Sequence, residues 1–270
     1  MDTPTSDTEI KNPCRLCNGL TTVKFNMKVL GKYQVNYSEC GTCLSLQTEP
    51  PFWLEDAYKE NNLSNLDTGA VQRCINNLSV CLFISKFLKL KNTVDYGGGD
   101  GLLCRMLRDH KINCFVKDKY STPTYAQGFT KPDFTKPDLL LGFELIEHFP
   151  NPAVDLNSLF ESNPEVLILS TAFYKNQNQD WWYLSPESGQ HVFFYSKKAL
   201  LLIANRFEYN LITGGGFIIL TKNTSALKNI ILKRIISSRM RIFLKSLISF
   251  MPTHGIWNDY LLQKNNQNSQ

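Results

Sequence analysis

The stretch Thr93-Val94-Asp95-Tyr96-Gly97-Gly98-Gly99-Asp100-Gly101 constrains this chain more than any other. Its first residues read as a short buried strand. Four glycines within the next five residues impose a tight turn, and Leu102, Leu103, Met106 and Leu107 give the following segment the apolar stripe of a helix. A glycine-rich strand-to-helix turn lets a ligand approach the backbone closely, and the unpaired N–H groups of the helix start face that space. Two ligand classes are excluded by spacing. A dinucleotide fingerprint would place its third glycine at position 102, which is Leu. A P-loop would end in Gly-Lys-Ser/Thr, and no such ending is present. A glycine turn with no ligand is the plainer alternative.

The 270 residues suffice for one large α/β domain with a small appendage. With 43% hydrophobic and 20% charged residues the composition is that of an ordinary soluble globular protein. A net charge of +5, much of it near the C-terminus, does not by itself argue for nucleic acid. The opening MDTPTSDTEIKNP lacks the basic and apolar regions of a secretory signal. No apolar run reaches the roughly 18 residues of a membrane span. The expected location is therefore the cytoplasm, where closely spaced cysteines read as metal ligands sooner than as disulfides.

Residues 1–13 read as a disordered lead-in. Cys14-Arg-Leu-Cys17 and Cys40-Gly-Thr-Cys43 follow, 22 residues apart. Two such pairs bring four thiolates within tetrahedral reach of one Zn²⁺, as in a zinc ribbon, and four cysteines point to a closed structural site rather than a catalytic one. Alternating segments at Thr21–Phe25 and Tyr33–Tyr37 suit short strands, and Gly19 and Gly41 would permit tight turns. The zinc-binding module is placed at 14–49. Cys74, Cys81, Cys104 and Cys114 lie among apolar residues and read as core.

Residues 50–92 read as a linker and helical lead-in, with an amphipathic helix from Ala70 to Leu90. A domain over 93–223 follows. Its second strand, Ile112–Val116, ends at Asp118, 17 residues beyond Gly101. Nucleoside-binding α/β folds place there an acid that accepts from the ribose hydroxyls; a solvated Asp between Lys117 and Lys119 is the alternative. Tyr120 could pack by the adenine. Pro123, Gly128, Pro132 and Pro137 leave no room for an ordinary helix in 121–137. Leu139–Phe143 and Val166–Ser170 are near-continuous apolar runs suited to central parallel strands. Trp181-Trp182-Tyr183 supplies three aromatics in a row, either a wall for an acceptor or packing at the end of the domain. Ser196 would cap a helix at 197–205, and Phe207–Thr213 and Phe217–Lys222 flank a glycine turn as a hairpin. Residues 224–270 form a basic helical extension and tail. Within it, residues 226–251 interleave six basic residues with Ile, Leu and Phe. As one basic amphipathic helix, this segment covers the domain with a solvated basic face, mates with a partner, or makes peripheral contact with an anionic membrane, here on its inner face. Gln263–Gln270 reads as disordered.

The spacing Asp95-x-Gly97-x-Gly99-x-Gly101 resembles motif I of class I S-adenosylmethionine (SAM) methyltransferases. GFELIEHFPNP, from Gly142 to Pro152, is similar to the corresponding segment of the UbiG-like members. Together with DKY at 118–120 and DWWYLSPESGQHVFFYS at 180–196, it resembles a narrower group, the methyltransferase-23 type with an N-terminal Cys₄ module, associated with sugar and surface-glycan genes. The resemblance covers about residues 14–222. It implies a Rossmann-like, seven-stranded sheet whose last strand pair is reversed, with the zinc-ribbon-like module before it and the helical extension after it. It also implies that Asp95, Gly97, Gly99, Gly101, Asp118 and Glu144 serve the cofactor, SAM. The short segment between Asp118 and Asp138 departs from the pattern where the adenine contacts would lie.

Methyl transfer from SAM is chiefly a positioning task, because the sulfonium already activates the methyl group. A hydroxyl or carbon-acid acceptor additionally needs a base. His148 and His191 follow strands at the end of the sheet where α/β folds bind ligands, and their ordinary pKa suits the task; Glu147 and Glu144 are further candidates. His110 reads as a solvated helix end. The expected activity is methyl transfer to a small molecule, a sugar or glycan intermediate, with His148, His191 or Glu147 as base. Two other classes are a non-catalytic adaptor with a degenerate Rossmann-like domain and a nucleic-acid methyltransferase. No Asn/Asp-Pro-Pro-aromatic sequence of the base-modifying type is present, so nucleic acid is not the expected partner.

Overall fold

The structure, a computed structural model, describes residues 12–59 and 67–267. The lead-in read at 1–13 falls almost wholly outside the described residues. Three antiparallel strands come first: β1 (Thr21–Val29), β2 (Tyr33–Cys40) and β3 (Leu46–Thr48). Helices α1 (Leu54–Lys59) and α2 (Ala70–Leu88) lead to β4 (Asn92–Tyr96), α3 (Leu102–Asp109) and β5 (Asn113–Lys117). Next come β6 (Leu139–Phe143), the single turns α4 (Pro152–Asp155) and α5 (Asn157–Phe160), and β7 (Val166–Ser170). The remainder comprises β8 (Phe193–Phe194), α6 (Lys197–Arg206), β9 (Asn210–Gly214), β10 (Phe217–Thr221), α7 (Ala226–Ile235), α8 (Ser238–Ile248) and α9 (Gly255–Gln267).

The main sheet has the order β5-β4-β6-β7-β10-β9. Its first four strands are parallel, and β10 runs antiparallel to both β7 and β9. This is the Rossmann-like order with its reversed last pair. Strands β6 and β7 are apolar almost throughout because helices cover both faces of the sheet. On one face Leu82 of α2, Leu107 of α3, and Leu232 and Ile236 at the end of α7 pack on Leu139, Ile168 and Ile219. On the other, Ile203 of α6 and Leu159 of α5 pack on Leu140, Leu167 and Ile218. Ser196 caps α6, its Oγ accepting from the Ala199 N–H at 3.0 Å.

The sheet has six strands among the described residues, not the seven expected. Residues 118–138, punctuated by Pro123, Pro132 and Pro137, run as turns where an outer strand would lie. Proline cannot donate to a ladder. Among the described residues the outer side of β5 meets the Phe129 carbonyl, which accepts from Val116 N–H at 2.9 Å, and Arg108, whose Nη1 donates to the Cys114 carbonyl at 2.9 Å.

The cysteine-bearing strands are joined to the rest. Short β8 pairs antiparallel with β3, giving a second sheet of order β1-β2-β3-β8. Val35, Tyr37, Leu46 and Trp53 thereby share a core with Tyr183, Leu184, Val192 and Phe194.

The C-terminal region also departs from expectation. Residues 226–251 are two helices, not one. Ser237, extended at ψ +144°, separates them, and its hydroxyl donates to the Arg234 carbonyl at 2.7 Å. The tail expected to be disordered from Gln263 continues as helix α9 to Gln267. A buried ion pair anchors that helix. Arg108 of α3 gives Nε and Nη2 to the two oxygens of Asp259, at 2.8 and 2.7 Å, and Arg105 adds Nη2 at 2.7 Å. Truncating one partner of such a pair leaves an uncompensated buried charge. Asp259→Asn is therefore expected to lower stability by about 3 kcal/mol, toward the lower end of such losses because the amide keeps one acceptor. Urea unfolding of the two proteins side by side measures it.

Candidate functional site

Gly97, Gly99 and Gly101 all have positive φ, at +71°, +54° and +77°, a region at ease only for glycine. Their surroundings differ. A Cβ at Gly97 would stand 2.7 Å from Leu145 Cδ1, and one at Gly101 2.7 Å from Ala126 Cβ. A Cβ at Gly99 would meet nothing within 4 Å. The turn is thus closed by packing at both ends and open in the middle. Gly98 is excluded from substitution differently: its Cβ would lie 2.6 Å from Asp95 Oδ2.

Asp95 is buried near the end of β4, and its Oδ2 has no hydrogen-bond partner. Burial first, and then the neighbouring Asp118, push its pKa up to about 7. Asp118 is not freely solvated. Its Oδ2 accepts from Gly99 N–H at 2.9 Å, and its Oδ1 accepts from the N–H groups of Tyr120 and Ser121 at 2.8 Å each. It therefore latches the end of β5 to the open glycine. Tyr120 stacks on Tyr58 of α1, centroids 4.9 Å apart. An open backbone cradle beside an orphaned buried acceptor suits a ligand that brings a donor.

The second cluster forms beyond β6 and β7. Glu144 has a left-handed backbone, φ +47°, a costly conformation for a residue with a Cβ. Its N–H donates to Ser170 Oγ at 3.1 Å, and its Oε1 accepts from the same hydroxyl at 2.6 Å. Its Oε2 accepts from Tyr183 OH at 3.0 Å, and that hydroxyl also contacts Glu147 Oε1. One hydroxyl carries one proton, so it serves both carboxyl groups only if one of them is protonated. Burial, then the charge of Glu144, raise Glu147 to about 8; Glu147 holds a proton at neutral pH.

His191 Nδ1 lies 2.7 Å from the Tyr183 carbonyl. A carbonyl only accepts, so in the neutral ring Nδ1 bears the hydrogen and Nε2 keeps a free lone pair. The ring of His148 stands edge-on to it, centroids 4.9 Å apart. Burial and then the His191 neighbour lower His148 to about 3, and burial lowers His191. Both rings are neutral at pH 7. Ligand atoms of Glu147, His148 and His191 all lie within 4.8 Å of one another, close enough to hold a metal ion as well as to move a proton. His110, by contrast, sits at a helix end with Nδ1 3.2 Å from the Pro252 carbonyl.

The four N-terminal cysteines converge. Sγ atoms of Cys14 and Cys43, and of Cys17 and Cys40, are 3.6 Å apart, and all four fall within 4.8 Å. Thiolates bound tetrahedrally at about 2.3 Å from zinc stand about 3.8 Å from one another. The two loops repeat one geometry. Asn18 N–H donates to the Cys14 carbonyl and Leu44 N–H to the Cys40 carbonyl, at 2.8 and 2.9 Å. Cys40 Sγ further accepts from the N–H groups of Thr42 and Cys43. The left-handed positions are Asn18 and Leu44, both φ +59°, not Gly19 and Gly41. Gly19 is needed for another reason: a Cβ there would collide with Thr42. Cys81, Cys104 and Cys114 are buried in the core, and Cys74 packs against it.

A family described as a methyltransferase domain matches residues 71–213, just over half of the chain. The chain belongs to that family. The methyltransferase is SAM-dependent, and the match begins within α2, upstream of the glycine turn. No curated protein matches it in sequence. Among solved structures it is similar to the 1,6-didemethyltoxoflavin-N1-methyltransferase of Burkholderia thailandensis, which has 1,6-didemethyltoxoflavin and S-adenosylhomocysteine bound. The identity is 11% over 74% of this chain and 100% of the other, with a TM-score of 0.48. It is also similar to the SAM-bound magnesium protoporphyrin IX methyltransferase of Synechocystis PCC 6803, at 14% identity over 64% and 93%, TM-score 0.42. The methyltransferase domain of the bacterial protein CtHen1 is 18% identical over 54% and 98%, TM-score 0.40. These likenesses carry no residue roles over to this methyltransferase.

Two contributors escaped the sequence reading. Tyr183 was visible only as one of three adjacent aromatics; its bridge to Glu144 and Glu147 is tertiary. Arg15 lies inside the first cysteine loop and sends its guanidinium to the carbonyls of Thr48, Pro150 and Val192. A pH experiment follows from Glu147. Its folded pKa of about 8 lies above the ordinary 4.5, so the native state keeps a proton that the unfolded state releases between those values. Stability from this group is thus lost as pH rises through that window. Glu147→Gln retains an acceptor for Tyr183 and is expected to flatten the loss, gaining on the parent protein from pH 5 to pH 8 in urea midpoints.

Proposed function

We propose that this methyltransferase transfers the methyl group of SAM to a small acceptor of sugar or glycan type, with His191 as the general base and a structural Zn²⁺ in the four-cysteine centre. The observation that carries the reading is the state of His191: neutral, fixed in one tautomer by the Tyr183 carbonyl, with Nε2 free beside a protonated Glu147. SAM supplies a methyl group already activated by its sulfonium. The open backbone at Gly99 and the orphaned Oδ2 of Asp95 fit its amino acid end. Asp118 Oδ1 already accepts two backbone N–H groups and Oδ2 one, so Oδ2 keeps a second lone pair for a ribose hydroxyl. Glu144, oriented by Ser170 and Tyr183, closes the same end of the sheet and would orient the donor.

His191 Nε2 would take the proton of an acceptor hydroxyl or carbon acid. His148, kept neutral but made a weak base by burial, is the second candidate, and Glu147, which would first have to lose its proton, the third. Support for a sugar comes from the aromatic turn: Trp182 stands 77% exposed one residue before Tyr183, a face on which a pyranose ring can stack. Cys14, Cys17, Cys40 and Cys43 would hold zinc with no position left for substrate, consistent with a structural role. The module at 14–49 and the domain at 93–223 then work as one body.

The test uses purified, full-length protein and a panel of nucleotide-sugars, with titration by S-adenosylhomocysteine. Gly99→Arg should abolish that binding. His191→Asn, whose amide can replace Nδ1–H toward Tyr183, should bind S-adenosylhomocysteine as before while kcat falls about 10²–10⁴-fold. Unchanged turnover would remove His191 from the role, and absent binding by the parent protein would favour the adaptor. Metal analysis is the companion experiment: one zinc per chain is expected, and Cys43→Ser should lose it together with several degrees of Tm.

A further inference from the structure

We propose that the surface built by α7, α8 and α9 is a docking face for an anionic lipid bilayer. Charge is the first observation. Residues 226–251 hold six basic side chains and no acidic one, more than the net +5 of the entire chain. From Tyr209 to the end the sequence has a single acidic side chain, Asp259, and it is turned inward onto Arg105 and Arg108. The outer surface of the three helices therefore presents no acidic side chain among the described residues. Lys228, Lys233, Arg234, Arg239 and Lys245 form no ion pair there.

The apolar residues give the second observation. Leu232, Ile236 and Leu244 are buried and Ile248 packs against the sheet core, so the helices' inward stripe is already complete. Their outward stripes are nevertheless apolar as well. Leu227 and Ile230 on α7, Ile242 and Phe243 on α8, and Trp257 on α9 are all more than half exposed, and Phe250 in the link is 86% exposed. On α8 the exposed positions 239, 242, 243 and 246 recur at helical spacing, so Arg239 flanks Ile242 and Phe243 on one face. A helix that merely shields its domain has a polar outer face. The helices belong to one layer: α7 and α8 pack on each other and on α2, and α9 packs on α3 beside it.

Exposed aromatic and aliphatic residues interleaved with unpaired cations fit a phosphate-rich interface above acyl chains, where rings enter the headgroup boundary and cations meet phosphates. A second copy of the chain would bring two cationic faces together. A nucleic acid would satisfy the cations and leave Ile242, Phe243 and Phe250 in water. Among the described residues no helix is long and apolar enough to cross a membrane, so the contact is peripheral.

The experiment is sedimentation of the full chain with vesicles of phosphatidylcholine alone or of an equal mixture with phosphatidylglycerol. Binding to the mixed vesicles is expected to be about tenfold or more the stronger, and to weaken with salt. The double variant Ile242→Ser/Phe243→Ser, and separately Arg239→Gln/Lys245→Gln, should each lose about tenfold in partitioning while Tm and S-adenosylhomocysteine affinity stay unchanged. Equal partitioning to both vesicles, or variants that bind as the parent does, would overturn the proposal. So would a concentration-dependent dimer that the apolar double variant dissolves, or salt-sensitive RNA binding without vesicle binding. Because the readout uses no methyl acceptor, it succeeds or fails apart from the sugar assignment.

Discussion

The peptide group of Val192 ties the two sheets of this methyltransferase together. Its N–H donates to the Glu147 carbonyl at 2.9 Å, and its carbonyl accepts from Thr48 N–H at 3.1 Å and from Arg15 Nη2 at 2.6 Å. A buried backbone group has to find partners, and here they come from opposite sides: the turn holding the acid–histidine cluster and the strand leaving the second cysteine loop. His191 precedes this peptide, and β8 follows it. Arg15 completes the arrangement without a carboxylate. Three backbone carbonyls take its guanidinium, and burial lowers it to about 10. The position of His191 is therefore set as much by residues 15 and 48 as by the domain that bears it.

The two polar clusters handle charge in different ways. Arg108 and Asp259 are matched, a planar fork on a carboxylate, and the match holds a helix in place. Glu144, Glu147, His148 and His191 are not matched to any cation: among the described residues no ion pair reaches them. Burial is tolerated there because protons stay on Glu147 and off both rings. A buried group whose proton can be moved at modest cost is suited to chemistry, and a neutralised pair is suited to holding a fold.

Elements buried on both faces were legible in the sequence. Leu139–Phe143 and Val166–Ser170 are continuous apolar runs because helices cover both sides, and Gly214–Gly216 marks the last hairpin because two of its residues need positive φ. The cysteine pairs were legible because ligand spacing is local. The missing seventh strand was half legible: the prolines excluded a helix in 121–137, and the structure shows that no strand replaced it. Strand β8 was not legible, since two residues carry no period and their partner lies in β3. The cluster was legible only as a set of candidates. His148 and His191 are 43 positions apart, and neither their edge-on contact nor the Tyr183 bridge leaves a trace in either local segment. The continuation of α9 past Gln263 rests on Asp259 meeting two arginines of α3, a contact that composition alone reads as a polar tail.

The abbreviated edge of the main sheet bears on how the chain is made. In place of an outer strand, β5 gives one backbone hydrogen bond to the loop carbonyl of Phe129 and takes one from Arg108 Nη1 at the Cys114 carbonyl. The Phe129 ring is covered by the Arg108 guanidinium, 3.6 Å from its centroid, and Arg108 is fixed by Asp259. During synthesis the glycine turn, both clusters and the sheet strands all leave the ribosome before residue 259. Until it does, Arg108 lacks its carboxylate beside an open strand edge, a combination that invites association with other chains. Helix α9 thus holds Arg108 over Phe129 only once the sheet it steadies has been synthesised.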